Sequence, residues 1–223
     1  RTFEGYFKRI IIAGDGVEAL QLVRSHVPDI IVSDVMMPRM NGYELCKTIK
    51  EDIAISHIPV ILLTAKDDKQ SLISGYKNGA DGYLSKPFEV EMLMELIRNR
   101  LKNREYTKKR YLNAGLIPTP EESTISLTDE TFLIKLNSII QENIDNTNLG
   151  IQFICQEVGL GRSSLYNKLK ALTGMGANEY ISKLRIEKAI TLISGTDMPF
   201  SEIAEKTGFT TPSYFSTTFK QYT

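Results

Sequence analysis

Residues 30–45 read IIVSDVMMPRMNGYEL: an apolar, largely β-branched run ends on one carboxylate, Asp34, and a loop bearing Pro and Gly then leads into an amphipathic segment. An apolar run that does not alternate predicts a strand covered on both faces, as in parallel sheets. Working outward, similar runs recur in RIIIA (9–13), PVILLTA (59–65) and DGYLSK (81–86). Between them lie segments of helical period such as GVEALQLVRSH (16–26) and EVEMLMELIRNRLKN (89–103). Strands alternating with helices predict an α/β layer with a parallel sheet.

Near Asn103 the texture changes. Residues 104–130, REYTKKRYLNAGLIPTPEESTISLTDE, hold two prolines and mixed charge without a sustained period, which reads as a helix tail and then a linker. The expected organisation is a first domain over 1–103, a linker over 104–129 and an all-helical domain over 130–223. The helical half contains a weak repeat. ICQEVGLGRSSLYNKLK (154–170) aligns with IAEKTGFTTPSYFSTTFK (203–220), matching Ile154 with Ile203, Gly159 with Gly208, Leu165 with Phe215 and Lys170 with Lys220. Two copies of helix, glycine turn and helix are expected.

Bulk properties narrow the classes. The 223 residues carry 27 Lys plus Arg and 27 Asp plus Glu, so any argument for a nucleic-acid or membrane partner must be local. Cys46 and Cys155 lie far apart without metal-ligand spacing, which suits packed thiols in a reducing compartment. His26 and His57 have no ligand partner at metal spacing and read as surface or strand-entry packing residues. No apolar run approaches the ~20 residues of a membrane span, and no signal peptide is visible, so a cytoplasmic chain without direct membrane contact is expected.

Ligands bind outside the carboxyl ends of strands in an open parallel sheet. Asp34, Thr64 and Lys86 each close one of three expected strands, gathering a carboxylate, a hydroxyl and an ammonium at one edge. A carboxylate can attack phosphorus, a hydroxyl can bond the transferred oxygens, and a lysine can neutralise their charge. A phosphatase of the haloacid-dehalogenase type would also need a second Asp two residues on as acid and base. Met36 occupies that position, so no enzyme is expected.

DIIVSDVMMPRMNGYEL, PVILLTA and ADGYLSKPF resemble the receiver domain of two-component response regulators from about Tyr6 to Leu101. The resemblance implies a flavodoxin-like fold in which Asp34 is the phosphoacceptor and Met36 offers a backbone carbonyl to Mg2+. It also implies that Thr64 and Lys86 contact the phosphoryl group, that Tyr83 swings inward when Thr64 engages it, and that a cis peptide precedes Pro87. The family's first strand, central in the order 2-1-3-4-5, ends in an acidic pair that holds Mg2+. Nothing before Arg1 supplies it, and RTFEGYF reads as the tail of the first helix. A sheet without its central strand leaves backbone groups unsatisfied, so a chain continuing upstream of Arg1 is expected.

In the helical half, GLGRSSLYNKLKALTG places Leu165, Leu169 and Leu172 on one helical face and Arg162, Ser163, Tyr166, Asn167 and Lys170 on the other. An inward apolar stripe with outward donors suits a major-groove helix. NEYISKLRIEKAITLIS, about 17 residues without Gly or Pro, would span roughly 25 Å as one helix, a spacer toward grooves that recur about every 34 Å. From Arg162 to Lys188, six basic residues (Arg162, Lys168, Lys170, Lys183, Arg185, Lys188) face two acidic ones (Glu179, Glu187), a surplus for phosphate contacts. Both glycine turns, LRIEKA (184–189) and Gly208-Phe209, occurring in this order, resemble the AraC-type DNA-binding domain over about 133–223. By position Ser163, Tyr166 and Asn167 would then read bases in the first unit, and Pro212, Ser213, Ser216 and Thr217 would face DNA in the second, with Lys220 matching Lys170.

Together these readings predict a phosphorylation-responsive transcription regulator. Its expected partners are double-stranded DNA, a histidine kinase and a second copy of itself, with Mg2+ serving phosphorylation. The pairing also resembles the cytoplasmic end of hybrid sensors, where kinase and regulator share one membrane-anchored polypeptide. The alternative is a degenerate receiver joined to a helical protein-interaction module.

Overall fold

A computed structural model describes residues 5–65, 79–114 and 126–222, apart from the side chains of 110–114. The chain divides into two compact units, Arg1–Asn103 and Arg104–Thr223.

The first unit runs α1 (Gly16–His26), β1 (Ile31–Asp34), α2 (Gly42–Glu51), β2 (Val60–Ala65), β3 (Gly82–Lys86) and the start of α3 (Val90–Ala114). The strands are parallel in the order β1-β2-β3, with Asp34 beside Leu63 and Thr64 beside Ser85. Val60 and Leu62 bury against Val23, Leu45 and Ile49, while the intervening Ile61 buries with Leu84, Leu93 and Ile97. Apolar side chains are therefore needed on both faces, which is why the strands read as unbroken runs. Asp81 fixes the entry to β2: its carboxylate accepts from the Val60 amide at 2.7 Å and pairs with Lys50 at 2.7 Å.

One expectation at the start of the chain is corrected. Residues 9–13 form no strand; Ile10, Ile11 and Ile12 are exposed, Ile12 by 84%. A strand persists only where its N–H and C=O groups meet a neighbour, and among the described residues no strand lies alongside. Most of RTFEGYF, expected as a helix tail, lies outside the described residues (1–4); Gly5 and Tyr6 form a turn with φ 103° at Gly5, a positive φ that glycine adopts readily.

The second unit is helical: α4 (Leu127–Glu142), α5 (Ile151–Val158), α6 (Arg162–Thr173), α7 (Ala177–Gly195), α8 (Phe200–Lys206) and α9 (Pro212–Tyr222). Both copies of the repeat fold alike. Helices α5 and α8 are followed by left-handed glycines, Gly159 at φ 71° and Gly208 at φ 72°, before α6 and α9 begin. Helix α7 is the spine between them. Its Ile186 and Ala189 pack with Ile203, Ala204, Phe209 and Phe215 of the second copy, and its Tyr180 hydroxyl donates to Asn137 of α4 at 2.8 Å. Within the stretch expected as linker, α3 stays helical to Ala114, residues 115–125 lie outside the description, and Ser126 caps α4 by accepting from the Asp129 amide at 3.2 Å. No described helix is long and apolar enough to cross a membrane.

Candidate functional sites

The carboxyl edge of the sheet carries the first site. Asp34 ends β1 with its side chain accessible, Thr64 is the penultimate residue of β2 and is buried, and Lys86 ends β3. The Lys86 ammonium donates to Asp34 Oδ2, and the Met36 amide donates to Oδ1 at 3.2 Å. Burial pushes the Asp34 carboxyl up, but the Lys86 hydrogen bond and charge and the Met36 and Val35 amides outweigh it, holding the group below the usual carboxylate range. Asp34 is thus ionised at neutral pH, the form that can act as a nucleophile. The Lys86–Pro87 peptide is cis, and Tyr83 is half-buried against the core beneath the site.

The loop after β1 is held from two sides. The Gly42 amide donates to the Val35 carbonyl at 2.9 Å, and a Cβ on Gly42 would lie 2.3 Å from the Asp34 carbonyl oxygen. Only glycine lets α2 start this close to the carboxyl end of β1. On the other side Arg39, at φ 60°, donates through Nε to Asp15 Oδ2 at 2.7 Å and pairs with the same oxygen through its terminal nitrogen. Asp15 also caps α1 by accepting from the Val17 and Glu18 amides, at 2.9 and 3.1 Å. The Arg39 guanidinium, joined by these amides, holds the Asp15 carboxyl below its usual range. Sequence reasoning missed the Asp15–Arg39 tie. Its only signal was an Asp-Gly pair placed to cap a helix.

Mg2+ favours hard oxygen ligands and usually takes one or two carboxylates, with water and phosphate completing an octahedron. The Asp34 carboxylate and Met36 carbonyl are donors of that kind and fit part of such a shell. Among the described residues no group of three or more His, Cys, Asp and Glu side chains could hold a metal.

The second site is the outer face of the helical unit. On α6, Arg162, Ser163, Tyr166 and Lys170 are exposed and Asn167 is half-buried, while Leu165, Leu169 and Leu172 are buried. An open cleft of about 500 Å3 at the start of α6 is lined by Arg162, Ser163, Tyr166 and Asn167 with Ile151 and Ala177. On α9, Pro212, Ser213, Ser216, Thr217 and Lys220 are exposed above the buried Phe215. Tyr214 is 51% exposed beside them, its ring 5.6 Å from Phe209, and was missed as a long donor on this face. Its place at i−3 from Thr217 was the available signal.

The expected basic surplus is halved. Lys168, Lys183 and Arg185 are buried, leaving Arg162, Lys170 and Lys188 exposed. Lys168 pairs with Asp129 of α4 and lies 5.0 Å from the centroid of the Phe132 ring. Lys183 lies 3.9 Å from Glu187, and Arg185 donates to the carbonyls of Ile144 at 3.3 Å and Asn146 at 2.7 Å. Long side chains can bury their stems when the head finds partners, and composition cannot reveal which ones do.

Comparison with known proteins identifies a domain family in each unit. The model of the response regulator receiver domain matches residues 3–98, and that of a helix-turn-helix domain matches 154–223. The chain is 42% identical over 212 residues to Histidine kinase P4 of Formosa agariphila, covering 95% of this chain but only 15% of that protein. It is 32% identical over 181 residues to the probable transcriptional regulator ycf29 of Pyropia yezoensis, covering 76% of this chain and 82% of that protein. It is 38% identical over 112 residues to the DNA-binding response regulator MtrA of Mycolicibacterium smegmatis, covering 50% of this chain and 47% of that protein. With a receiver sheet edge in one unit and an AraC-type helix-turn-helix pair in the other, the chain belongs to the response regulator family.

Proposed function

We propose that Asp34 accepts a phosphoryl group from a kinase phosphohistidine and that the helical unit, through α6 and α9, carries the response to duplex DNA. The observation that carries this reading is the contact of Lys86 with an accessible, ionised Asp34 at the carboxyl edge of the sheet. A carboxylate oxygen of Asp34 forms a P–O bond as the P–N bond to the histidine breaks and the imidazole leaves. Lys86 neutralises the added phosphoryl charge, and the buried Thr64 hydroxyl lies one strand away to bond a phosphoryl oxygen. Asp34 and the Met36 carbonyl would hold Mg2+, whose charge, when bound, offsets the negative charge gathered at the carboxylate and phosphate. Tyr83, on β3, follows Thr64 inward and changes the receiver surface. That change favours a receiver dimer, and linking two DNA-binding units raises their effective concentration.

On α6, Ser163, Tyr166 and Asn167 read base edges while Arg162 and Lys170 hold phosphates. On α9, Ser213, Ser216, Thr217 and Lys220 face the duplex. The long stretch of identity to a protein named a histidine kinase supports a kinase and regulator in one polypeptide.

Intact mass before and after incubation with Mg2+ and acetyl phosphate tests the first half, with Asp34→Asn as control. One added phosphoryl unit, absent in the variant, is expected; equal addition to both proteins would sink the assignment. For the second half, duplex affinity is measured across a salt series. Counterion release predicts a linear fall of log K with log salt, of about 0.9 per phosphate neutralised. A flat response would instead favour the protein-interaction module.

A further inference from the structure

We propose that Arg185 is a positioning residue that sets the one spacing at which the two helix-turn-helix copies engage DNA, an inference that rests on the DNA-binding reading above. A protein that reads two grooves must match their separation and their rotation about the duplex axis. Each base pair inserted between two half-sites moves one of them by about 3.4 Å and turns it by roughly a tenth of a full rotation. The 19 residues of α7 form a rod of roughly 28 Å. That fixes a distance, but its apolar contacts with the second copy, Ile186 and Ala189 against Phe209 and Phe215, have no strong directional preference.

Arg185 supplies the direction. Its guanidinium donates to the Ile144 and Asn146 carbonyls in the loop between α4 and α5, the entry to the first copy. It also lies 6.0 Å from the centroid of the Phe209 ring and packs on Gly208, in the turn of the second copy. A Cβ on Gly208 would come within 2.3 Å of the Ile144 carbonyl oxygen and 2.7 Å of an Arg185 terminal nitrogen. The entry of one copy and the turn of the other therefore meet at this one side chain. Guanidinium geometry is planar and fork-like, so it restricts rotation as well as distance. Arg185 is 8% exposed and thus acts on DNA only through where it holds the two copies.

The test is selection of the full chain on a duplex library with a randomised centre, alongside Arg185→Lys and Arg185→Met. Thermal melts identify which variants remain folded; Arg185→Lys keeps the charge and at least one donor should Arg185→Met fail to fold. The wild type is expected to enrich a two-part sequence at a single spacing. The folded variant is expected to enrich the same parts at two or more spacings. A variant that keeps the wild-type spacing and merely binds more weakly overturns the proposal, as does a wild type that enriches only a one-part sequence. If the wild type enriches no duplex, the DNA-binding reading itself fails, and the result is distinct from either of these.

Discussion

Lys168 shows how one residue can look like a ligand contact and be a structural tie. It sits on α6 between exposed donors, yet its side chain is fully buried against Asp129 and Phe132. Removing one member of a buried ion pair leaves an uncompensated charge, at a cost of about 3–5 kcal/mol, whereas replacing both with apolar groups is often neutral. Lys168→Met is therefore expected to lower the stability of the helical unit by about 3 kcal/mol in urea denaturation, and Asp129→Leu with Lys168→Met to recover most of that loss. An equally destabilised double variant would argue against the pair. The sequence showed which face of α6 is apolar, because Leu165, Leu169 and Leu172 repeat at helical spacing. Lys168 falls on that face at i+3 from Leu165, but its partner Asp129, 39 residues away on α4, could not be read from the sequence.

At the scale of elements, the two glycine turns look equivalent in the repeat but differ in their surroundings. Both glycines have φ near 70°, a region that costs other L-residues roughly 1–2 kcal/mol. A Cβ on Gly159 meets nothing within 4 Å, while one on Gly208 meets the Ile144 carbonyl and Arg185. Gly159→Ala should cost only the backbone term, and Gly208→Ala clearly more, as read from the two variants' melting temperatures. Equal losses would mean that the second turn relaxes around the new methyl. The strands were legible wherever a neighbour exists: the three expected runs at 29–34, 59–65 and 81–86 contain β1, β2 and β3. The run at 9–13 has the same composition and no ladder, because strand propensity is realised only through pairing.

On the scale of the whole molecule, each core cluster among the described residues lies within one unit, and Asp15 and Asp34, two carboxylates held below their usual range, both belong to the first. A carboxylate whose folded pKa lies below its unfolded value stabilises the fold above the unfolded pKa and loses that contribution as pH falls through the folded one. Amide protection in β1 and β2, measured relative to the intrinsic exchange rate at each pH, is thus expected to fall as the pH drops below the usual carboxylate range, with a shallower acid dependence in Asp15→Asn. Identical profiles for both proteins would remove Asp15 from the account. The division into units was legible from the change of texture near Asn103. The continuation of α3 to Ala114 was legible only as an undefined helix tail, since charged residues without a clear apolar period do not mark where a helix stops.

The chain's two cysteines also differ in reach. Cys46 is fully enclosed, and burial pushes its thiol up to about 12, whereas Cys155 is half-exposed on α5. A thiolate is the reactive form, so a maleimide dye at neutral pH will attach almost wholly at Cys155. The native chain thus provides its own single-site fluorescent reporter one turn before Gly159, on the helix that leads into α6.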